Sequence, residues 1–112
     1  MHIIGDVVDK EVIMIDDMID TGGTIINAAV ALKKLGAKKI FASCTHPVFS
    51  GGAIEKIENS VLDEMVVTNT IPLEQENLTD KIKVISVGKL IAHAIQNIHN
   101  GESISPLFDQ VD

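Results

Sequence analysis

VIMIDDMIDTGGTI, residues Val12 to Ile25, sets a purely apolar run directly before three carboxylates and a pair of glycines. The unbroken run Val12–Ile15 suits a strand covered on both faces, as in a parallel sheet. With its flanking residues it predicts a strand over Lys10–Ile15. Asp16–Thr24 is polar and Gly-rich and reads as a loop. Ile25, Ala28, Ala29, Leu32 and Leu35 then recur at helical spacing, which predicts a helix from about Gly23 to Leu35. Lys33 and Lys34 fall in its last turn, and Gly36 suits the position just past its end.

Outward from this stretch the same alternation continues. KIFASC (Lys39–Cys44) reads as a strand and THPVFSGG (Thr45–Gly52) as a loop. A short helix is expected over Ala53–Glu58, carrying Ile54 and Ile57. EMVVT (Glu64–Thr68) and KVISV (Lys83–Val87) are two further strands. A last helix, about Gly88 to His99, should bury Leu90, Ile91, Ala94, Ile95 and Ile98. The tail Gly101–Asp112 has no clear period. Alternating strands and helices place the chain in the α/β class, as a three-layer, mainly parallel sheet flanked by helices with right-handed crossovers. Its 112 residues suit a single domain over 1–112.

Composition narrows the function. With three Phe, no Trp and no Tyr, a stacking platform for single-stranded nucleic acid is hard to build. A formal charge of −7 argues against a nucleic-acid footprint. The single Cys44 rules out an internal disulfide and fits a reducing compartment. No signal-peptide pattern opens the chain, and no apolar run is long enough to span a bilayer. The expectation is a soluble cytoplasmic protein without nucleic-acid or membrane partners.

Ligands of open α/β sheets bind beyond the carboxyl ends of the strands, where DDMIDTGGT falls. Asp16, Asp17 and Asp20 are acceptors for sugar hydroxyls. Thr21, Gly22, Gly23 and Thr24 lead into a helix whose first N–H groups are unpaired. Glycines there let the backbone approach an anion closely. One loop thus offers acceptors for a diol and donors for a phosphate, the two groups of a phosphorylated ribose. The plainer alternative is an acidic turn with an ordinary side-chain-capped helix. An EF-hand is a poor fit because the Glu at its twelfth loop position is missing, and no GK[ST] follows to make a Walker A loop.

The string resembles the phosphoribosyl-diphosphate motif of the phosphoribosyltransferase fold. MHIIGDV, VIMIDDMIDTGGTI, THPVFSGGAIEKI, NSVLDEMVVTNTIPL and ESISPLF, in that order, resemble the C-terminal part of ribose-phosphate diphosphokinase. This resemblance covers nearly the whole chain. It implies transfer of the β,γ-diphosphoryl group of ATP to ribose 5-phosphate, with magnesium, in nucleotide synthesis. It implies that Asp16 and Asp17 contact the ribose hydroxyls and that Asp20, Thr21, Gly22, Gly23 and Thr24 cradle the 5-phosphate. The family chains are longer, with two similar domains, and their catalytic Lys and Arg, metal-binding His and main ATP contacts would lie upstream of MHIIGDV. No catalytic residue or metal ligand is therefore expected here. The chain should bind ribose 5-phosphate weakly, expose apolar surface, self-associate, and lack diphosphokinase activity alone. The alternatives are a different phosphoribosyltransferase-type domain, or a non-catalytic regulatory subunit of a full-length synthetase.

Secondary candidates remain. His46 follows a strand and is able to touch substrate or a neighbour, or to have its ring held by a backbone carbonyl. Ser50-Gly51-Gly52 precedes a helix and suits either an anion or ordinary capping; the family often has Pro where Gly52 stands. Ser103, Ile104, Ser105, Leu107 and Phe108 resemble a segment that helps form an allosteric nucleotide or phosphate site between subunits. His2, His93 and His99 lack metal-ligand spacing. Cys44 reads as a core residue rather than a nucleophile.

Overall fold

The computed structural model describes residues 5–74, 76 and 78–108. The opening Met1–Ile4, with His2, lies outside the described residues. Four strands form one sheet: β1 (Glu11–Ile19), β2 (Lys39–Pro47), β3 (Glu64–Thr68) and β4 (Ile82–Ile85). They lie in the order β1-β2-β3-β4, and each neighbouring pair is parallel. Helices α1 (Gly23–Lys34) and α2 (Ala53–Glu58) make the first two crossovers. Helix α3 (Gly88–His99) follows β4, and a 3₁₀ turn spans Ser105–Phe108. The α/β class, with a parallel sheet flanked by helices, is as expected.

Two strands run further than the sequence suggests. β1 continues through Asp16 and Asp17 to Ile19, and β2 continues through His46 to Pro47. The sequence pattern instead predicts loop from Asp16 and from Thr45. The reason lies in the pairing. Asp16 stands opposite Cys44 and Met18 opposite His46, so main-chain ladder bonds carry the strands past the end of the apolar run.

Strand order also decides which face is covered. β1 to β2 and β2 to β3 step across the sheet in one direction. Right-handed crossovers made in one direction land on one face. Accordingly Ile25, Ala29 and Leu32 of α1 and Ala53 and Ile57 of α2 share a core with Ile40, Ala42 and Cys44 of β2, Met65 and Val67 of β3, and Ile82 of β4. In β1, Val12 and Met14 pack against this core from the same face.

The other face is less covered. Ile13 and Ile15 are 65% and 82% exposed, and Ile85 of β4 is 57% exposed. The expectation that β1 is covered on both faces is thus corrected: it is an edge strand of the described sheet, and among the described residues the helices that contribute to the core are α1 and α2. The buried stripe foreseen for α3 is corrected as well. None of its residues is buried, and Ile95 and Ile98 are 62% and 67% exposed. The radius of gyration is 16.5 Å, against about 13 Å for a compact chain of this length. Among the described residues, then, α3 adds no side chain to the buried core. No helix among them is long and apolar enough to cross a membrane.

Candidate functional site

The end of β1, the turn after it and the first turn of α1 enclose an open cleft of about 220 Å³. Asp16, Met18, Ile19, Asp20, Thr21, Gly22, Gly23, Thr24 and Ile25 line it. It opens at the carboxyl end of the sheet, where parallel strands present ligands to the helix that follows.

Gly22 decides its shape. It precedes α1 with φ of 85° and ψ of −5°, left-handed values that favour glycine. No side chain caps the helix, so the plainer reading of DTGG as a side-chain-capped turn does not hold. Ile26 N–H donates to the Gly22 carbonyl at 3.0 Å, which closes the first helical turn. The N–H groups before Ile26 have no intrahelical acceptor and carry the positive end of the helix dipole. The exposed hydroxyls of Thr21 and Thr24 flank them. No Lys or Arg lines the cleft, so attraction for an anion comes from peptide groups and hydroxyls alone.

The structure brings six of the seven proposed ribose 5-phosphate contacts to the cleft: Asp16, Asp20, Thr21, Gly22, Gly23 and Thr24. Asp17 is not among the lining residues. Because β1 continues through it, strand alternation turns its side chain away from that of Asp16. Its contribution is through the main chain: Asp17 N–H donates to Asp16 Oδ1 at 2.8 Å. That bond holds one oxygen of the Asp16 carboxylate and leaves the other to accept. The carboxylate of Asp20 accepts from the Ser50 hydroxyl.

Met18, Ile19 and Ile25 line the cleft but were not foreseen. The strand's extension to Ile19 is what brings the first two there. Met18, half exposed, adds an apolar lip to a polar site.

The remaining candidates lie elsewhere. His46 is on β2, not in a loop. Its Nδ1 lies 2.8 Å from Thr70 Oγ1, and Thr70 Oγ1 donates to the Thr45 carbonyl at 3.0 Å. A hydroxyl has one hydrogen, so Nδ1 is the donor to Thr70. The ring of this exposed residue is held by a hydroxyl rather than a carbonyl. Gly52, with φ of 75°, precedes the six-residue α2 without a side-chain cap.

Ser103, Ile104, Ser105 and Phe108 are not among the residues that line the cleft. They belong to the turn after α3, where Asn97 Nδ2 donates to the Ser103 carbonyl at 3.0 Å and Ser105 N–H to Ser103 Oγ at 3.1 Å. Leu107 instead faces a separate open hollow with Lys89, Leu90 and His93. Cys44 is buried in the core. Burial pushes its thiol from 9.0 up to about 11; the nearby Asp16 charge adds to this, and a hydrogen bond with the Ile19 backbone pulls the other way. A thiol so placed stays protonated at neutral pH and is no nucleophile. Among the described residues no cluster of His, Cys, Asp and Glu is able to hold a metal ion.

Known proteins give this cleft a context. A ribose-phosphate pyrophosphokinase from Haemophilus ducreyi is 54% identical over 110 residues, which is 97% of this chain and 35% of that protein. One from Clostridium acetobutylicum is 54% identical over 110 residues, 98% of this chain and 34% of that protein. The crystal structure of phosphoribosylpyrophosphate synthetase from Mycobacterium smegmatis superposes with a TM-score of 0.83 at 37% identity, covering 88% of this chain and 33% of that one. The chain thus spans about a third of the length of the relatives it matches. These matches do not support the expected C-terminal placement within them. The family model described as phosphoribosyl synthetase-associated domain matches residues 1–109, and with that coverage the chain belongs to this family.

Proposed function

We propose that this chain is a ribose 5-phosphate-binding part of a ribose-phosphate pyrophosphokinase and that it transfers no diphosphoryl group by itself. The observation that carries the reading is the cleft, in which the Asp16 carboxylate and the uncapped start of α1 face one opening. The 5-phosphate lies against the N–H groups and hydroxyls of the Thr21–Thr24 turn. The ribose hydroxyls donate to Asp16. Asp17 supports this arrangement through its bond to Asp16 rather than by contact with the sugar.

The absence of cationic side chains from the lining limits both affinity and chemistry. Phosphoryl transfer depends on positioning and on cationic neutralisation of developing charge. The cleft supplies positioning for one substrate and little neutralisation. ATP and magnesium belong to the pyrophosphokinase reaction of the longer protein. Among the described residues the carboxylates do not gather into a cluster able to hold a metal ion.

Calorimetric titration tests the reading. Ribose 5-phosphate is expected to bind, with ribose alone and inorganic phosphate both weaker. Thr24→Ala removes one hydrogen bond to the phosphate and should weaken binding about five- to tenfold, the worth of roughly 1 kcal/mol. Equal heats for the parent chain, Thr24→Ala and Asp16→Ala would show that the site is elsewhere.

A further inference from the structure

The turn that carries the proposed phosphate contacts does not stand alone. Three consecutive N–H groups from the segment after β2 converge on its entrance. Val48 and Phe49 donate to the Ile19 carbonyl at 3.1 and 3.2 Å, and Ser50 donates to the Asp20 carbonyl at 3.0 Å. The Ser50 hydroxyl also donates to the Asp20 carboxylate. One residue, 30 positions along the chain, thus grips Asp20 by main chain and side chain together.

The segment takes up strain to do this. Phe49 has φ of 48°, a left-handed value that a bulky side chain rarely adopts. Its ring is buried in the core, and the converging bonds fix the backbone on either side. The segment also meets the turn beyond Asp20: a Cβ added at Gly51 would lie 3.9 Å from Thr21 Cγ2.

We propose that Ser50 is a positioning residue for the phosphate turn, holding the Asp20 carboxylate in place so that the Thr21–Thr24 donors stay arrayed for an anion. This rests on the sugar-phosphate reading of the cleft. Two consequences follow. Asp20 Oδ1 is engaged within the protein by Ser50, so this carboxylate, like that of Asp16, offers only its second oxygen to the cleft. A negative charge adjoining a site for a dianion is kept in one rotamer instead of sweeping through the opening.

The test compares the parent chain with Ser50→Ala and Ser50→Thr. Hydrogen exchange of the Thr21–Thr24 amides is measured without ligand, ribose 5-phosphate affinity by calorimetry, and thermal stability as a control. Ser50→Ala is expected to speed exchange at these amides and to weaken affinity about fivefold, the loss of one hydrogen bond. Its melting temperature should stay near that of the parent, and Ser50→Thr, which keeps the hydroxyl, should restore both readouts. Parent-like exchange and affinity in Ser50→Ala would overturn the proposal, as would equal losses in Ser50→Ala and Ser50→Thr. If the parent itself fails to bind ribose 5-phosphate, the site reading falls, and the exchange comparison alone decides the role of Ser50.

Discussion

Helices α1 and α3 are equally long at 12 residues, begin with a glycine and carry an apolar stripe. α1 buries Ile25, Ala29 and Leu32, whereas α3 buries nothing. The difference is topological rather than compositional. α1 joins two neighbouring parallel strands and must cross the sheet face between them. α3 follows β4 and no described strand takes the chain back, so nothing draws its stripe onto the sheet. Their starts differ too. α1 is entered through Gly22 in a left-handed conformation and opens onto a cleft, while α3 is entered through Val87 at φ of −100°.

The largest test of this contrast is a pair of truncations read by urea denaturation. Ile57, fully buried between α2 and the sheet, should cost about 3 kcal/mol as Ile57→Ala, because transfer free energy is lost and a cavity remains. Ile95→Ala on α3, 62% exposed, should change stability by no more than about 0.5 kcal/mol. A loss at Ile95 comparable to that at Ile57 would mean that α3 is packed in solution, and would break the comparison.

A smaller effect separates the two helix starts. Gly22→Ala forces a Cβ into a left-handed backbone and should cost about 1–2 kcal/mol. The nearby Ile26, Ala53 and Ile57 lie at ordinary contact distance, so the cost is conformational rather than steric. Gly88→Ala on α3 should stay within about 0.5 kcal/mol, since only the movable Ser86 hydroxyl approaches closely, at 3.2 Å, and alanine favours a helix. Equal costs at the two positions would remove the special status of the first turn.

Much of this fold is legible in the sequence. The limits of α2, β3 and α3 are as read from the spacing of Ile54 and Ile57, the run EMVVT, and the stripe Leu90–Ile98. The ends of β1 and β2 were not legible, because Asp16, Asp17 and His46 are held in strands by ladder bonds that do not depend on side-chain type. Nor was the bare sheet face. An apolar run in β1 says that a strand wants cover and is silent on whether a helix reaches it. In the candidate site, Asp16 and the Asp20–Thr24 turn were readable because they are contiguous. Ser50 was not, since its link to Asp20 exists only once β2 lies beside β1. Asp17 falls outside the cleft lining because strand alternation, which an acidic run does not reveal, governs that position.

The central claim is that the Asp16–Ile25 cleft takes a phosphorylated ribose. The most direct measurement is a two-dimensional amide NMR titration of the ¹⁵N-labelled chain with ribose 5-phosphate. The account predicts saturable shifts concentrated at the amides of Thr21 to Ile25, with smaller ones near Asp16 and none along α3. Shifts confined to α3 and the Ser103–Phe108 turn, or no shifts at all, would contradict it.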